Sequence, residues 1–257
     1  MAPEYPLPWK TFLNLLISLA RGERRSFRAD ACALLRGDSA HPGLPLRVTG
    51  EEHIPTSGPA LVVVNHYTRL GPHPFRAWWI ALAISSCVPV EIHWTMTSAW
   101  TYAGSPSSWV LAGLTRWLFP RFARTYGFTA MPPMPPRPFE EAARAQAVRR
   151  VLATAKSQPQ PVIGIAPEGQ DAPGGVLMRP PAGAGRFIHH LARLGYPIYP
   201  AGVYENSDTL CLSFGSPEYV ELSPGLSSSQ IEEWVSRTVM RAVARQLPES
   251  LRGEFGD

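Results

Sequence analysis

The sequence predicts an α/β fold: a mostly parallel central sheet flanked by helices, with an N-terminal two-helix appendage. Three observations predict it. Short continuous apolar runs, the signature of strands covered on both faces, alternate with longer stretches of helical spacing. Clusters of proline, glycine and serine punctuate those runs. The 257 residues, 45% hydrophobic and 17% charged, supply a core for one large domain, or one domain with an appendage, and exclude disorder throughout.

The elements follow in order. Phe12, Leu15, Leu16 and Leu19, then Phe27, Ala31, Leu34 and Leu35, recur at helical spacing, so residues 1–40 read as a helical pair. Arg21, Arg24, Arg25 and Arg28 sit between the two stripes. A basic cluster beside an apolar stripe suits an anionic membrane interface and suits packing over the core equally well. Residues 41–257 read as the α/β domain. Its strands are Leu46 to Thr49, Ala60 to Val64, Val90 to Met96, Val162 to Ala166, Ile198 to Tyr204 and Leu210 to Phe214. Its helices are Pro74 to Ser85, Ser107 to Phe119, Phe139 to Ala155 and Ala184 to Leu194. A terminal helix opens at Ser229, with Glu232 three residues on completing a capping box. The proline-dense stretch Met131 to Pro138 is a loop, and Trp78, Trp79, Trp94, Trp100, Trp109 and Trp117 are expected in the core.

Composition narrows the function. All but two of the 24 basic residues, Lys10 and Lys156, are arginine, against 20 acids. Arginine matches phosphate and carboxylate with two parallel hydrogen bonds, so a phosphorylated ligand and an anionic membrane surface both fit. No dense alternation of basic and aromatic residues and no zinc-finger spacing points to nucleic acid. Cys32, Cys87 and Cys211 are far apart and form no Cys-x-x-Cys pair, which suits a reducing cytoplasm. The longest apolar runs, Phe12 to Ala20 and Trp78 to Val90, fall short of the ~18 residues a membrane helix needs. His189 and His190 lack a third partner at metal spacing, so neither a metal nor a cofactor is expected. No Gly-x-Ser-x-Gly elbow or Walker loop occurs.

The chemistry gathers at two strand ends. The run Ala60 to Val64 leads into Asn65-His66-Tyr67, and Val162 to Ala166 leads into Pro167-Glu168-Gly169. Ligands bind α/β sheets beyond the carboxyl ends of the strands. A base and a carboxylate are therefore expected at one rim.

These motifs resemble those of the lysophospholipid (glycerolipid) acyltransferase family. The lead-in Gly50-x-x-x-Ile54-Pro55 and the Asn65-His66 pair resemble the family's opening block, and Ala166-Pro167-Glu168-Gly169 its Phe-Pro-Glu-Gly block. Gly183 to Leu194 is similar to the Gly-rich helix start that follows, and Tyr196-Pro197-Ile198-Tyr199-Pro200 to the final Pro-x-x-Pro strand. The resemblance implies transfer of a fatty acyl group from a thioester donor, acyl-CoA or acyl carrier protein, to a lysophospholipid or related alcohol. It makes His66 the general base, and Asn65, Glu168 and Gly169 substrate-binding. It also implies a cytoplasmic protein, peripheral at the inner face of the membrane.

Two departures bear on this reading. The family's aspartate five positions after the histidine, which orients the imidazole, is Gly71 here. Asp171 is the first candidate to replace it, then the backbone carbonyls of the Gly71 turn, then Glu205, with Glu91 a weaker one. The family's acceptor-phosphate arginines are displaced, leaving Arg137, Arg179 and Arg186 as candidates. The alternative is a catalytically silent relative that keeps the fold to bind lipid or a partner.

Overall fold

The computed structural model describes residues 9–36, 43–67, 76–100, 106–133, 138–170, 173–207, 209–221 and 225–256. Helices α1 (Trp9–Arg21) and α2 (Phe27–Arg36) precede β1 (Leu46–Thr49) and β2 (Ala60–Val64). Then come α3 (Arg76–Cys87), β3 (Ile92–Thr97), α4 (Pro106–Tyr126), β4 (Thr129–Met131), α5 (Glu141–Ala155) and β5 (Val162–Ile165). The chain continues through α6 (Ala184–Arg193), β6 (Ile198–Asn206), β7 (Thr209–Phe214) and α7 (Ser228–Ala244). The strands form one seven-stranded sheet in the order β1-β7-β6-β2-β5-β3-β4. Every pairing is parallel except β6 with β7, which run antiparallel.

Strand β2 shows why its sequence is apolar throughout. Side chains alternate across a strand, and here each alternate set enters a different core. Ala60, Val62 and Val64 join Ala31, Ile84 and Trp94 beneath α2 and α3. Leu61 and Val63 join Val151, Ile188 and Val239 beneath α5, α6 and α7. All five β2 residues are buried, which places the strand end, and therefore His66, at the centre of the sheet.

Helix α2 shares the first core through Phe27, Ala31 and Leu35. A network ties it to its neighbours: Arg25 donates to both carboxylate oxygens of Asp30 at 2.5 and 2.8 Å, and Tyr126 donates to Asp30 at 2.7 Å. Helix α1 lies further out, with Leu13, Leu16 and Ile17 exposed.

Three elements differ from expectation. Helix α4 runs past Pro120 to Tyr126, because Phe119, Phe122 and Ala123 continue its buried stripe and Arg121 donates to the Trp117 carbonyl beside the proline. Tertiary burial outweighs the local proline penalty. Met131, expected to open the proline-dense loop, instead ends the edge strand Thr129–Met131, which pairs with β3. Helix α7 is capped by Ser227 in a capping box with Gln230. Glu232 is thereby released to another task.

Candidate active site

Strands β2 and β5 pair in parallel with Val63 opposite Ile165, so the residues following them emerge side by side at one sheet edge. Asn65 is fully buried. Its side-chain amide donates to the Val203 carbonyl at 2.9 Å and accepts from the Val203 N–H at 2.8 Å. The amide thus continues the β2–β6 ladder by one step and fixes where His66 begins. Glu168, 1% exposed, accepts from the His66 N–H at 2.6 Å and from the Met178 N–H at 2.7 Å. Both distances lie at the short end of the N–H···O range. The carboxylate therefore straps three segments together: the β2 end, the β5 end and the loop carrying Met178.

Gly169 makes the turn beyond Glu168. Its φ of 67° lies in the left-handed region that favours glycine, and its N–H donates to the Ala166 carbonyl at 3.2 Å. Tyr67 is covered by Gly175, where a Cβ would come within 2.5 Å of the tyrosine ring. The loop that meets Glu168 thus packs directly on the residue after His66.

His66, half-buried, lines a cavity of about 670 Å³ together with Asn65, Pro167, Gly169 and Gln170. The walls are Trp78, Trp94, Met96, Trp100, Phe128 and Phe187. Trp94 lies flat on β5 because Gly164 has no side chain: a Cβ there would meet the indole at 2.4 Å. Its indole N–H donates to Ser85 at 2.9 Å, which holds the ring as a fixed wall. The expected tryptophan core thus divides. Trp79 and Trp94 are buried and Trp78 and Trp100 line the cavity, whereas Trp117 is 55% exposed with the Arg121 guanidinium stacked 4.1 Å over its ring. The side chain of Trp109 lies outside the described residues.

Arg179 and Arg186 do not line the cavity. Arg179 is exposed and pairs with Glu254 at 3.1 Å and Glu233 at 3.8 Å, and the Glu254 carboxylate, then Glu233, holds its pKa above the usual arginine value. Arg186 pairs with Glu232 at 3.4 Å. Glu232 also accepts from the N–H groups of Gly183, Gly185 and Arg186 at 2.9 to 3.1 Å. The start of α6 is therefore filled by a carboxylate from α7, in the position where a bound phosphate would otherwise sit. Arg137 and Asp171, like Gly71, lie outside the described residues. Glu91 bonds to Ser26 and the Arg28 N–H at the start of α2, and Glu205 accepts from the Tyr67 hydroxyl at 3.5 Å.

The structure adds Arg144 of α5 to the cavity wall. A sequence signal for it exists. Ala147, Val151 and Ala155 form the buried stripe of α5, and Arg144 stands one turn before them. A charge at the head of an apolar stripe marks a buried edge.

An imidazole in the lining of an aromatic cavity, at the rim of a mostly parallel sheet, marks the class: an α/β protein with a histidine-bearing apolar pocket. The acyltransferase family model matches residues 45–204, a span that holds β1 through most of β6 and every rim residue described above. The chain belongs to the acyltransferase family. Among solved structures it is similar to the 1-acyl-sn-glycerophosphate (LPA) acyltransferase PlsC from Thermotoga maritima, at 16% identity and a TM-score of 0.48, over 92% of this chain and 85% of that one. Comparison with curated proteins finds no match.

Proposed function

We propose that the protein transfers a fatty acyl group from acyl-CoA or acyl carrier protein to a lysophospholipid or related glycerolipid alcohol, with His66 as the general base. The observation that carries this reading is that His66 lines the aromatic cavity. An acyl chain occupies the apolar part, and the acceptor hydroxyl meets the imidazole. His66 takes the hydroxyl proton, the oxygen attacks the thioester carbonyl, and the thiol leaves with the proton. Asp171, one position beyond the cavity residue Gln170, is proposed as the group that orients the imidazole in place of position 71.

Both assignments are tested in one assay. His66→Ala should cut turnover of an acyl-CoA with 1-acylglycerol phosphate by about 10² to 10⁴, the usual contribution of a general base, while its thermal unfolding matches wild type. Asp171→Asn should lower kcat far more than it raises KM. Wild-type turnover in His66→Ala would leave the chain as a relative that binds lipid without acyl transfer.

No helix among the described residues is long and apolar enough to cross a membrane. We propose that α1 rests on an anionic bilayer surface instead. Leu13, Leu16 and Ile17 of α1 and Leu114 and Trp117 of the neighbouring α4 are exposed. Of the four arginines at the α1–α2 junction, Arg25 is committed to Asp30 and Arg28 donates to the Val88 carbonyl, which leaves Arg21 and Arg24 at the surface. Flotation with vesicles containing phosphatidylglycerol should show binding that weakens with salt. Equal binding to neutral vesicles would remove the electrostatic part of this proposal.

A further inference from the structure

Among the described lining residues Arg144 is the one arginine or lysine, and there is no aspartate or glutamate. The side chain is half-buried and donates from Nη1 to the Pro132 carbonyl at 3.1 Å. A guanidinium carries five N–H donors in a rigid fork, and this bond uses one of them. No carboxylate among the described residues pairs with it, and burial alone pulls its pKa below the usual arginine value. Val148, one turn further along α5, lines the same cavity, so this face of the helix is directed inward.

The other arginines near the site offer a contrast. Arg179 and Arg186 each lie against glutamate. A partly desolvated cation with no counter-charge is costly, and it persists where a ligand supplies the anion. The acyl chain and the thioester are uncharged and give it nothing. An acceptor that enters beside them with an anionic group completes it.

We propose that Arg144 seats an anionic oxygen group, phosphate or carboxylate, of the acyl acceptor inside the cavity that His66 borders. The term acceptor rests on the acyl-transfer reading; the anion rests on the cavity itself. The Pro132 carbonyl holds one arm of the fork, which aims the remaining N–H groups and limits the rotamer entropy lost on binding.

The test uses the full chain and the cavity's own tryptophans. Trp78, Trp94 and Trp100 should report the binding of dodecyl phosphate, dodecanoate and dodecanol through intrinsic fluorescence. Wild type should prefer one or both anions over the alcohol by about tenfold or more, the scale of one charged hydrogen-bonded contact. The phosphate and carboxylate arms decide which group is preferred. Arg144→Gln should erase that preference and leave dodecanol affinity unchanged, while Arg144→Lys, which keeps the charge without the fork, should retain part of it. In the acyl-transfer assay, Arg144→Gln should raise KM for 1-acylglycerol phosphate about tenfold with little change in kcat, and leave 1-acylglycerol unaffected.

Absence of an anion preference in wild type, or its survival in Arg144→Gln, overturns the proposal. If Arg144→Gln does not fold, Arg144→Lys decides: a folded Lys variant whose preference for the anions over dodecanol is undiminished also overturns it. Arginine-dependent anion binding without any acyl transfer would sink the catalytic reading and keep this one. Acyl transfer to 1-acylglycerol phosphate that is indifferent to Arg144 would do the reverse.

Discussion

Glu168 and Glu232 do the same kind of work in two different settings. Each carboxylate reaches across to another segment and accepts main-chain N–H groups there: His66 and Met178 for Glu168, and Gly183, Gly185 and Arg186 for Glu232. Glu168 is almost fully buried beneath the rim of the cavity. Glu232 keeps 20% of its side chain in solvent and lies where α6 meets α7. Burial decides what their loss should cost, and position decides whether catalysis notices.

The largest effect is expected at Glu168. Alanine there strands two N–H groups that water cannot easily reach, at about 1 to 3 kcal/mol each. The denaturation midpoint should fall accordingly. Because one of the two N–H groups belongs to His66, kcat should fall as well, while the pH profile keeps the shape set by the histidine. That pair of outcomes would make Glu168 a positioning residue. Glu168→Gln keeps an oxygen for one N–H group and turns an amide nitrogen toward the other, so its loss of stability should be intermediate. A stable Glu168→Ala with full kcat would show that Asn65 and the sheet hold His66 unaided.

Glu232→Ala should cost less. The α6 N–H groups then turn to water, and the penalty is that of a lost helix cap, about 1 to 2 kcal/mol. Turnover should stay within about twofold of wild type, since the partners described for Glu232 are backbone N–H groups at the start of α6 and the exposed Arg186 side chain, which does not line the cavity. A drop in kcat as large as that of Glu168→Ala would mean that the start of α6 positions the reacting groups.

The contrast also explains what could be read from the sequence. The sheet, its helices and the pairing of the two strand ends followed from apolar runs and their punctuation, because burial on both faces leaves a plain mark on β2 and β5. His66 and Glu168 were legible as rim residues for the same reason. The partners of Glu168 were not, since both are backbone groups and one belongs to a loop ten residues away. Glu232 was misread as capping its own helix because Ser229 and Glu232 have capping-box spacing, yet Ser227 and Gln230 have it too. Only the approach of α6 separates the two registers. Gly185 permits that approach: a Cβ there would stand 2.3 Å from the Glu232 carbonyl. The glycines of the Gly-rich helix start therefore serve, at Gly185, the close packing of α6 on α7.

The smallest effects are expected at Arg179 and Arg186, the arginines that the sequence offered as ligands for an acceptor phosphate. Both are more than half exposed and bonded to carboxylates, and exposed ion pairs contribute little to stability. To bind an acceptor, either would first have to leave its glutamate, and the helix N-terminus between them already holds one. Arg179→Ala and Arg186→Ala should therefore leave both the denaturation midpoint and KM for 1-acylglycerol phosphate at wild-type values. The double variant sharpens the point, because two weak sites that share a ligand compensate for each other when lost singly. If the double variant raises KM while kcat holds, the phosphate is recognised at the α6 start, and Glu232 must move aside when it binds. If KM is unchanged, charge recognition belongs to the cavity wall, where Arg144 stands without an acidic partner among the described residues.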